Sequence, residues 1–311
     1  MPITLSCLNH VKRHLTGPAS KKNQRPPAPT LYTDVSWCGD RSGSMSSMGL
    51  SPQEGAETFM KDHKKLSNKI KPMNGYHLEF TTFDNKATVE YNDDARKVTD
   101  ADIEKARNAM IPRGTTKFYD TAIACVSRQQ KRVDAVLASL PKETAGLMYE
   151  NNHLVATIFA TFTDGMDNES IADANALKRA IDKHKSLYNA TCMFLAANID
   201  ADSTGASCGF DAGLCMQMGA DRISSGEALR ICSVAMMRAA SQQPPQFTQL
   251  ERETSCGVTP PVNSAPGVIM HGPQRSVTGP SSSLRRPTPL LPPPGVYRQT
   301  NRRVNLRAPA V

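Results

Sequence analysis

Asp40-Arg41-Ser42-Gly43-Ser44 sets one carboxylate and two hydroxyls at alternate positions of a stretch that Gly43 frees to bend. Three hard oxygens turned toward one point suit a hard divalent cation, Mg²⁺ or Mn²⁺, and suit Zn²⁺ poorly. Taken alone, the segment reads equally well as a Ser/Gly turn with an Asp cap. Its surroundings decide between the two. Two more oxygen-bearing loops lie downstream, Ile111-Pro112-Arg113-Gly114-Thr115-Thr116 and Thr163-Asp164-Gly165.

Other chemistries find little support. The chain has no Gly-rich phosphate loop ending in Lys and Ser/Thr, no paired-His helix and no Gly-x-Ser-x-Gly elbow. A hydrolase built on Ser42 and a distant His is the most remote of three readings. Cys7, His10 and His14 have a helical metal spacing, but a closed zinc site needs a fourth ligand and none is near. No enzymatic activity is expected.

The elements that must position the three loops follow from periodicity. Leu31, Tyr32, Val35 and Trp37 lead into Asp40 as a strand. Ser51-Pro52-Gln53-Glu54 reads as a capping box opening a helix with Ala56, Phe59, His63, Leu66 and Ile70 on one face. Two alternating strands (Leu78, Phe80, Thr82, then Ala87, Val89, Tyr91) meet at Asp84-Asn85 as a hairpin. A helix from a cap at Asp100 to Met110 leads to the second loop, and a long helix from Phe118 to Leu140 follows it. Leu154 to Phe159 is an apolar strand ending at the third loop. Ser170 and Asp173 are candidate caps for a helix Ile171–Tyr188 whose inner face begins at Ile171. A last strand runs from Ala190 to Ala197, and Ser224-x-x-Glu227 caps a final helix. Buried strands alternating with amphipathic helices imply an α/β fold, a mostly parallel sheet with helices on both faces and one antiparallel edge strand. Ligand sites in such sheets lie outside the carboxyl ends of the strands, where Asp40, Thr116 and Asp164 all fall.

Asp40-x-Ser42-x-Ser44, Thr116 in Pro-Arg-Gly-Thr-Thr, and Thr163-Asp164-Gly165 together resemble the metal-ion-dependent adhesion site of von Willebrand factor A (vWA) domains. The resemblance spans about residues 31–241. The run Phe194 to Ala201 is similar to the last strand of stand-alone bacterial, phage or viral members. It implies a Rossmann-like vWA fold in which Ser42, Ser44 and Thr116 bind the cation directly or through water, with Asp40 and Asp164 acting mainly through water. Thr115 stands where many members have a second Gly and competes with Thr116 for that role. The resemblance further implies a metal-dependent protein-interaction module. Ligation by neutral hydroxyls leaves the ion under-neutralised and open to an Asp or Glu from a partner protein.

Charge divides the chain of 311 residues into three parts. Residues 1–30 carry a net +5 and residues 242–311 a net +6, so of the total +8 the middle stretch, 31–241, carries −3. The arm 1–30 and the Pro/Arg-rich tail 242–311 are expected to be disordered. A runner-up function is therefore structural or nucleic-acid-associated, with the basic arms making loose phosphate contacts. Arg286-Pro287-Thr288-Pro289-Leu290-Leu291-Pro292 has the spacing of a polyproline ligand for an SH3-like groove. The eight Cys include no Cys-x-x-Cys pair and read as reduced thiols. No apolar run is long enough to cross a bilayer and no signal-peptide core opens the chain. The expected setting is the cytoplasm, or a virion if the source is viral.

Overall fold

Nine consecutive buried residues, Tyr32–Asp40, form β1 at the centre of a six-stranded sheet. The computed structural model describes residues 31–72, 75–140 and 155–257. The arm 1–30 with Cys7, His10 and His14, the strand start at Leu154, and the tail beyond 257 with its polyproline motif lie outside the described residues. The remaining strands are β2 (Tyr76–Phe83), β3 (Ala87–Asp94), β4 (Val155–Thr163), β5 (Thr191–Ala196) and β6 (Cys215–Gln217). Their order is β3-β2-β1-β4-β5-β6, with only the β2–β3 hairpin antiparallel. This is the expected Rossmann-like arrangement. The chain runs outward from β1 in one direction to β3, then returns to β1's other side with β4. Such a reversal opens a crevice at the carboxyl ends of the two strands.

Helices α1 (Ser51–Ile70), α2 (Asp100–Ala109) and α6 (Arg222–Ala240) cover one face, and α3 (Phe118–Ala138), α4 (Ala174–Tyr188) and α5 (Ala201–Ser207) the other. The period-2 alternation of β1 assigns its residues to the two faces. Val35 and Trp37 point toward α1 and α6. Trp37 is fully buried, edge-on to Phe59 at 4.2 Å and to Phe162 at 5.7 Å between ring centroids. Gly39 follows on that face because a Cβ there would stand 3.0 Å from the Phe162 ring.

The other face explains why β1 is less aliphatic than its central position suggests. Asp34 and Ser36 are wholly buried beneath α3, where Arg132 donates to both Asp34 carboxylate oxygens at 2.9 Å and to Ser36 Oγ at 2.9 Å. Arg132 also pairs with Glu79 of β2, as does Arg128 at 2.6 Å. Burial pushes the Glu79 carboxyl up, but the two guanidinium groups outweigh it and hold the group below its ordinary value. Gln129 donates to Asp34 Oδ1 at 3.0 Å, so its own carbonyl oxygen is free to accept from His184 Nε2 at 2.9 Å. A buried polar layer thus fixes the register of α3 and α4 on the sheet.

Several element ends differ from the sequence reading, at Ser51 because a partner distant in sequence outcompetes a local one, and at α2 and α6 because a neighbouring residue makes the local cap. The Ser51 capping box does not form. Ser51 Oγ instead donates to Arg222 O at 2.5 Å, joining α1 to the start of α6. The caps of α2 and α6 are Thr99 and Asp221 rather than Asp100 and Ser224. Helix α4 starts at Ala174 with Asp173 as its cap, and Ile171 is 95% exposed rather than part of an inner face. Strand β6 is too short for its periodicity to be read.

The chain past 241 is ordered further than composition suggested. Phe247 is buried in the core, and α7 (Gln249–Ser255) follows with a Thr248/Glu251 capping box. Arg252 of α7 donates to the backbone of Cys215 and Ala212, at 2.6 and 2.8 Å, securing the β6 edge. The Gln/Pro run at 242–245 is a turn leading into this edge cover. Phe247→Ala is expected to cost about 3–5 kcal/mol, the usual range for a buried Phe, measured as a lower midpoint in denaturant with an unchanged slope.

Burial lowers the His184 imidazole to about 4 and that of His63 to about 3, so both are neutral in the fold at pH 7. The native state refuses protons that the unfolded chain accepts below about 6.5. Stability is therefore complete above that value and falls as pH drops toward 4. His184→Gln should flatten the slope of unfolding free energy against pH by about 1.4 kcal/mol per pH unit in this window. An unchanged slope would show that His184 does not resist protonation in the fold.

Candidate metal centre

Loop one leaves β1 at Asp40 and is held at both ends. Asp40 Oδ1 accepts from the Ser42 amide at 2.7 Å, while Oδ2 accepts from Thr163 Oγ1, on the neighbouring β4, at 2.6 Å. A short 3-10 turn, Gly43–Met48, then buries Met45 and Met48 and leaves Ser44 exposed. Ser44 Oγ donates to Asp164 Oδ1 at 2.7 Å, which uses its only proton, so the 3.0 Å contact between the two hydroxyls has Ser42 as donor. Ser42, Ser44 and Asp164 thereby form one chain of oxygens across the mouth of the β1/β4 crevice. Asp164 Oδ2 is buried with no hydrogen-bond partner among the described residues.

Burial pushes the Asp40 carboxyl up to about 6, against hydrogen bonds from Thr163 and Ser42. Burial also raises Asp164, against the bond from Ser44. Both carboxylates are held where their charge is poorly solvated, and a cation would relieve both. The oxygens present fit Mg²⁺ or Mn²⁺. Among the described residues no group of three His, Cys, Asp or Glu side chains gathers at a common point, so a softer all-side-chain site is not formed.

Loop two docks on loop one through its backbone. The Gly43 amide donates to Gly114 O at 3.0 Å and the Arg113 amide to Arg41 O at 2.7 Å. Gly114 has φ +69°, and a Cβ there would meet the Asp84 side chain at 3.2 Å, so the position favours glycine twice over. Thr116 is buried and Thr115 exposed, which favours Thr116 as the inward-facing hydroxyl of the pair. Its backbone is clamped by loop three: Asn168 Oδ1 accepts from the Thr116 amide at 3.0 Å and Thr116 O accepts from the Asn168 amide at 3.1 Å. Asp120 Oδ1 accepts from the Ala172 amide at 2.9 Å, and Asp167 Oδ2 from the Tyr119 amide at 2.9 Å. The structure thus joins Asp40, Ser42, Ser44 and Asp164 by direct bonds and brings Thr116 in on a loop tied to both others.

A six-stranded sheet in this order, with Asp-x-Ser-x-Ser after β1 and Thr-Asp-Gly after the adjacent β4, settles the fold type. The domain is vWA-like. No protein-family model matches the chain, and no curated protein matches it. Solved structures similar to it include proximal thread matrix protein 1 from the mussel byssus, at 14% identity and TM-score 0.42, over 68% of this chain and 46% of that one. A von Willebrand factor type A protein from Catenulispora acidiphila is similar at 14% identity and TM-score 0.43, over 68% and 43%. Manganese-loaded TRAP protein from Plasmodium vivax is similar at 14% identity and TM-score 0.38, over 64% and 72%. The chain spans less than half the length of the mussel and Catenulispora proteins.

Sequence reasoning passed over the residue that holds the vWA-like rim together. Arg41, the unassigned position between Asp40 and Ser42, is 2% exposed. Its Nε donates to Asp84 Oδ2 at 3.0 Å, Nη1 to Glu90 Oε1 at 3.3 Å and to Ala109 O at 3.1 Å, and Nη2 to Thr88 Oγ1 at 3.1 Å. Arg113 reaches the same Asp84 oxygen at 2.9 Å. The available signal was an Arg inside a loop otherwise made of small residues. Arg41→Ala should destabilise the fold by about 3–5 kcal/mol, because it takes the buried cation from Asp84 and Glu90 and leaves them only the more exposed Arg113 and Lys105. Arg41→Lys should recover only part of that, since one ammonium cannot serve four acceptors spread around a planar fork. Denaturant unfolding of the two variants checks both statements.

Proposed function

We propose that this domain is a divalent-metal-dependent protein-interaction module. The residues that would hold Mg²⁺ or Mn²⁺ are Ser42, Ser44 and Thr116, with Asp40 and Asp164 supporting them through water. Bound there, the ion would supply an open coordination position for the carboxylate of a partner's Asp or Glu. The buried, unpartnered Asp164 Oδ2 beside the Ser42–Ser44 hydroxyl chain carries this reading, because such an atom is costly unless something positive or hydrogen-bonding meets it. The chain's own residues do the positioning. Thr163 and the Ser42 amide fix Asp40, Asn168 fixes the Thr116 backbone, and Arg41 fixes the loop that carries both serines.

The reading has no catalytic step. The six buried cysteines among the seven described are free thiols, which supports a reducing setting such as the cytoplasm. The alternative, function through the basic arms 1–30 and 242–311, is separated from it by salt. Polyanion binding falls steeply with salt as counterions are released, whereas capture of a carboxylate by a coordinated ion responds to chelator.

Asp40→Ala or Ser42→Ala should weaken Mg²⁺ or Mn²⁺ binding about 10–100-fold, the range found when groups supporting a metal are removed. The far-ultraviolet circular dichroism should stay native. Titration calorimetry that found ion binding undiminished in Asp40→Ala would sink the assignment.

A further inference from the structure

The rim that carries the candidate metal centre also carries exposed apolar side chains. Of the eight large hydrophobic residues exposed among the described residues, five stand on it: Leu50, Ile111, Met166, Ile171 and Ile223, each between 44% and 95% exposed. They come from the three site loops and from the start of α6, which Ser51 joins to loop one. They do not form one patch: Leu50 lines a groove between α1 and α2, Ile223 one between α1 and α6, and Met166 a cavity beside loop three.

Within that rim lies a cavity of about 270 Å³ between loop three and the β5–α5 connection. Phe118, Phe194, Ile199 and Met166 supply apolar walls, and Thr163 and Gly165 form the side toward the metal centre. Asp164 stands between those two residues in sequence, and Thr163 Oγ1 is the donor that holds Asp40. The cavity therefore opens one residue from the oxygen cluster. Phe118, Phe194, Ile199 and Met166 make its lining mainly apolar, which suits an apolar side chain. Asp167 and Asp200 also line it, Asp167 accepting from the Ser170 amide of its own loop and the Tyr119 amide of α3, and Asp200 from the Ser203 amide. Their charge repels a second acidic group, so a partner's carboxylate is steered to the cation and away from this cavity.

We infer that the partner is a protein segment in which an Asp or Glu lies within three residues of a large apolar side chain, Leu, Met or Phe. The acid meets the ion and the apolar residue fills the cavity between Phe118 and Ile199. This rests on the metal-dependent reading above and adds the partner's recognition sequence. Side chains two apart on an extended segment point the same way, about 6.5–7 Å from one another, so neighbouring subsites can read one short peptide.

The test uses an array of synthetic hexapeptides with one Asp, whose other positions are varied among Ala, Ser, Lys, Leu, Met and Phe. Binding to the full chain is measured in Mg²⁺ and in chelator, and ion binding is measured separately by calorimetry. Peptides with Leu, Met or Phe near the Asp should bind at least about tenfold more tightly than their Ala counterparts, in Mg²⁺ only. Thr204→Phe, which fills the cavity from α5, should abolish that preference while leaving ion binding intact. Met166→Ser, at an exposed position, should reduce it without any risk to folding. A protein that binds the ion but takes Asp peptides regardless of neighbour, or takes none, overturns this inference alone and gives the cavity to another occupant. A preference that survives Thr204→Phe also overturns it. A chain that binds no divalent ion overturns the metal-dependent reading itself.

Discussion

A guanidinium sealed from water inside a loop is the constraint on which the rest of this rim depends. Removing a cation from water costs several kcal/mol even after relaxation, and the cost is met only where every donor finds an acceptor. Arg41 meets it with Asp84 from the β2–β3 turn, Glu90 and Thr88 from β3, and the last carbonyl of α2. These acceptors belong to three elements that lie 43 to 68 residues from Arg41 in sequence. These bonds tie the loop that carries Asp40, Ser42 and Ser44 to the hairpin and to α2. The pair also draws in Arg113 through the shared Asp84 oxygen, and with it Gly114 and Thr116. Burial pushes Asp84 up, but Arg113, the Lys86 amide and Arg41 together hold it below its ordinary value, so it stays charged.

A second buried charge system stands near the opposite end of β1 and acts on the same loops at a distance. Arg132 and Arg128 lie in the middle of α3, where Asp34 and Glu79 leave them little freedom. Helix α3 begins at Phe118, two residues after Thr116. Fixing the helix by its middle therefore fixes where its first turn, and the loop entering it, can lie. A buried ion pair of this kind is weak evidence for stability, since apolar residues of similar volume often serve as well. It does exclude a slipped helix, because a shift by one residue would turn the guanidinium groups away from both carboxylates.

Much of this was legible in the sequence, for a definite reason. The strands and helices that form the core carry a single period each, and the three oxygen-bearing loops sit at strand ends that the α/β pattern already located. Asp40, Ser42, Ser44 and Asp164 could be grouped because topology brings the ends of β1 and β4 side by side. The buried polar residues could not be grouped. Asp34, Ser36 and Glu79 occupy strand positions where local pattern expects apolar side chains, and their arginine partners lie 49 to 98 residues away. Arg41 was left without a role for the same cause, its acceptors lying 43 to 68 residues away. Caps failed similarly at Ser51, where the hydroxyl prefers Arg222 O, 171 residues distant, to its own helix. What depends on pairs far apart in sequence has no local signature.

The energetic division of the molecule follows from these facts. Around Trp37, Phe59, Phe80 and Phe162 the sheet face is aromatic and dry, and burial there supplies the stability. At the rim the same chain spends some of it, holding Asp40 and Asp164 where burial raises their carboxyls and leaving Asp164 Oδ2 unmet. Local rules are broken most often where function requires it. Here the breach has a direction: two poorly solvated carboxylates and a chain of hydroxyls all raise the negative potential at one point in the β1/β4 crevice. The hydroxyls contribute dipoles without charge, so a divalent ion held there as proposed would be only partly neutralised. A carboxylate arriving from outside would therefore find the ion still electron-poor, although the protein has already placed two acids nearby. On that reading the balance would require Ser at positions 42 and 44, where Asp at either would satisfy the ion and close it to a partner.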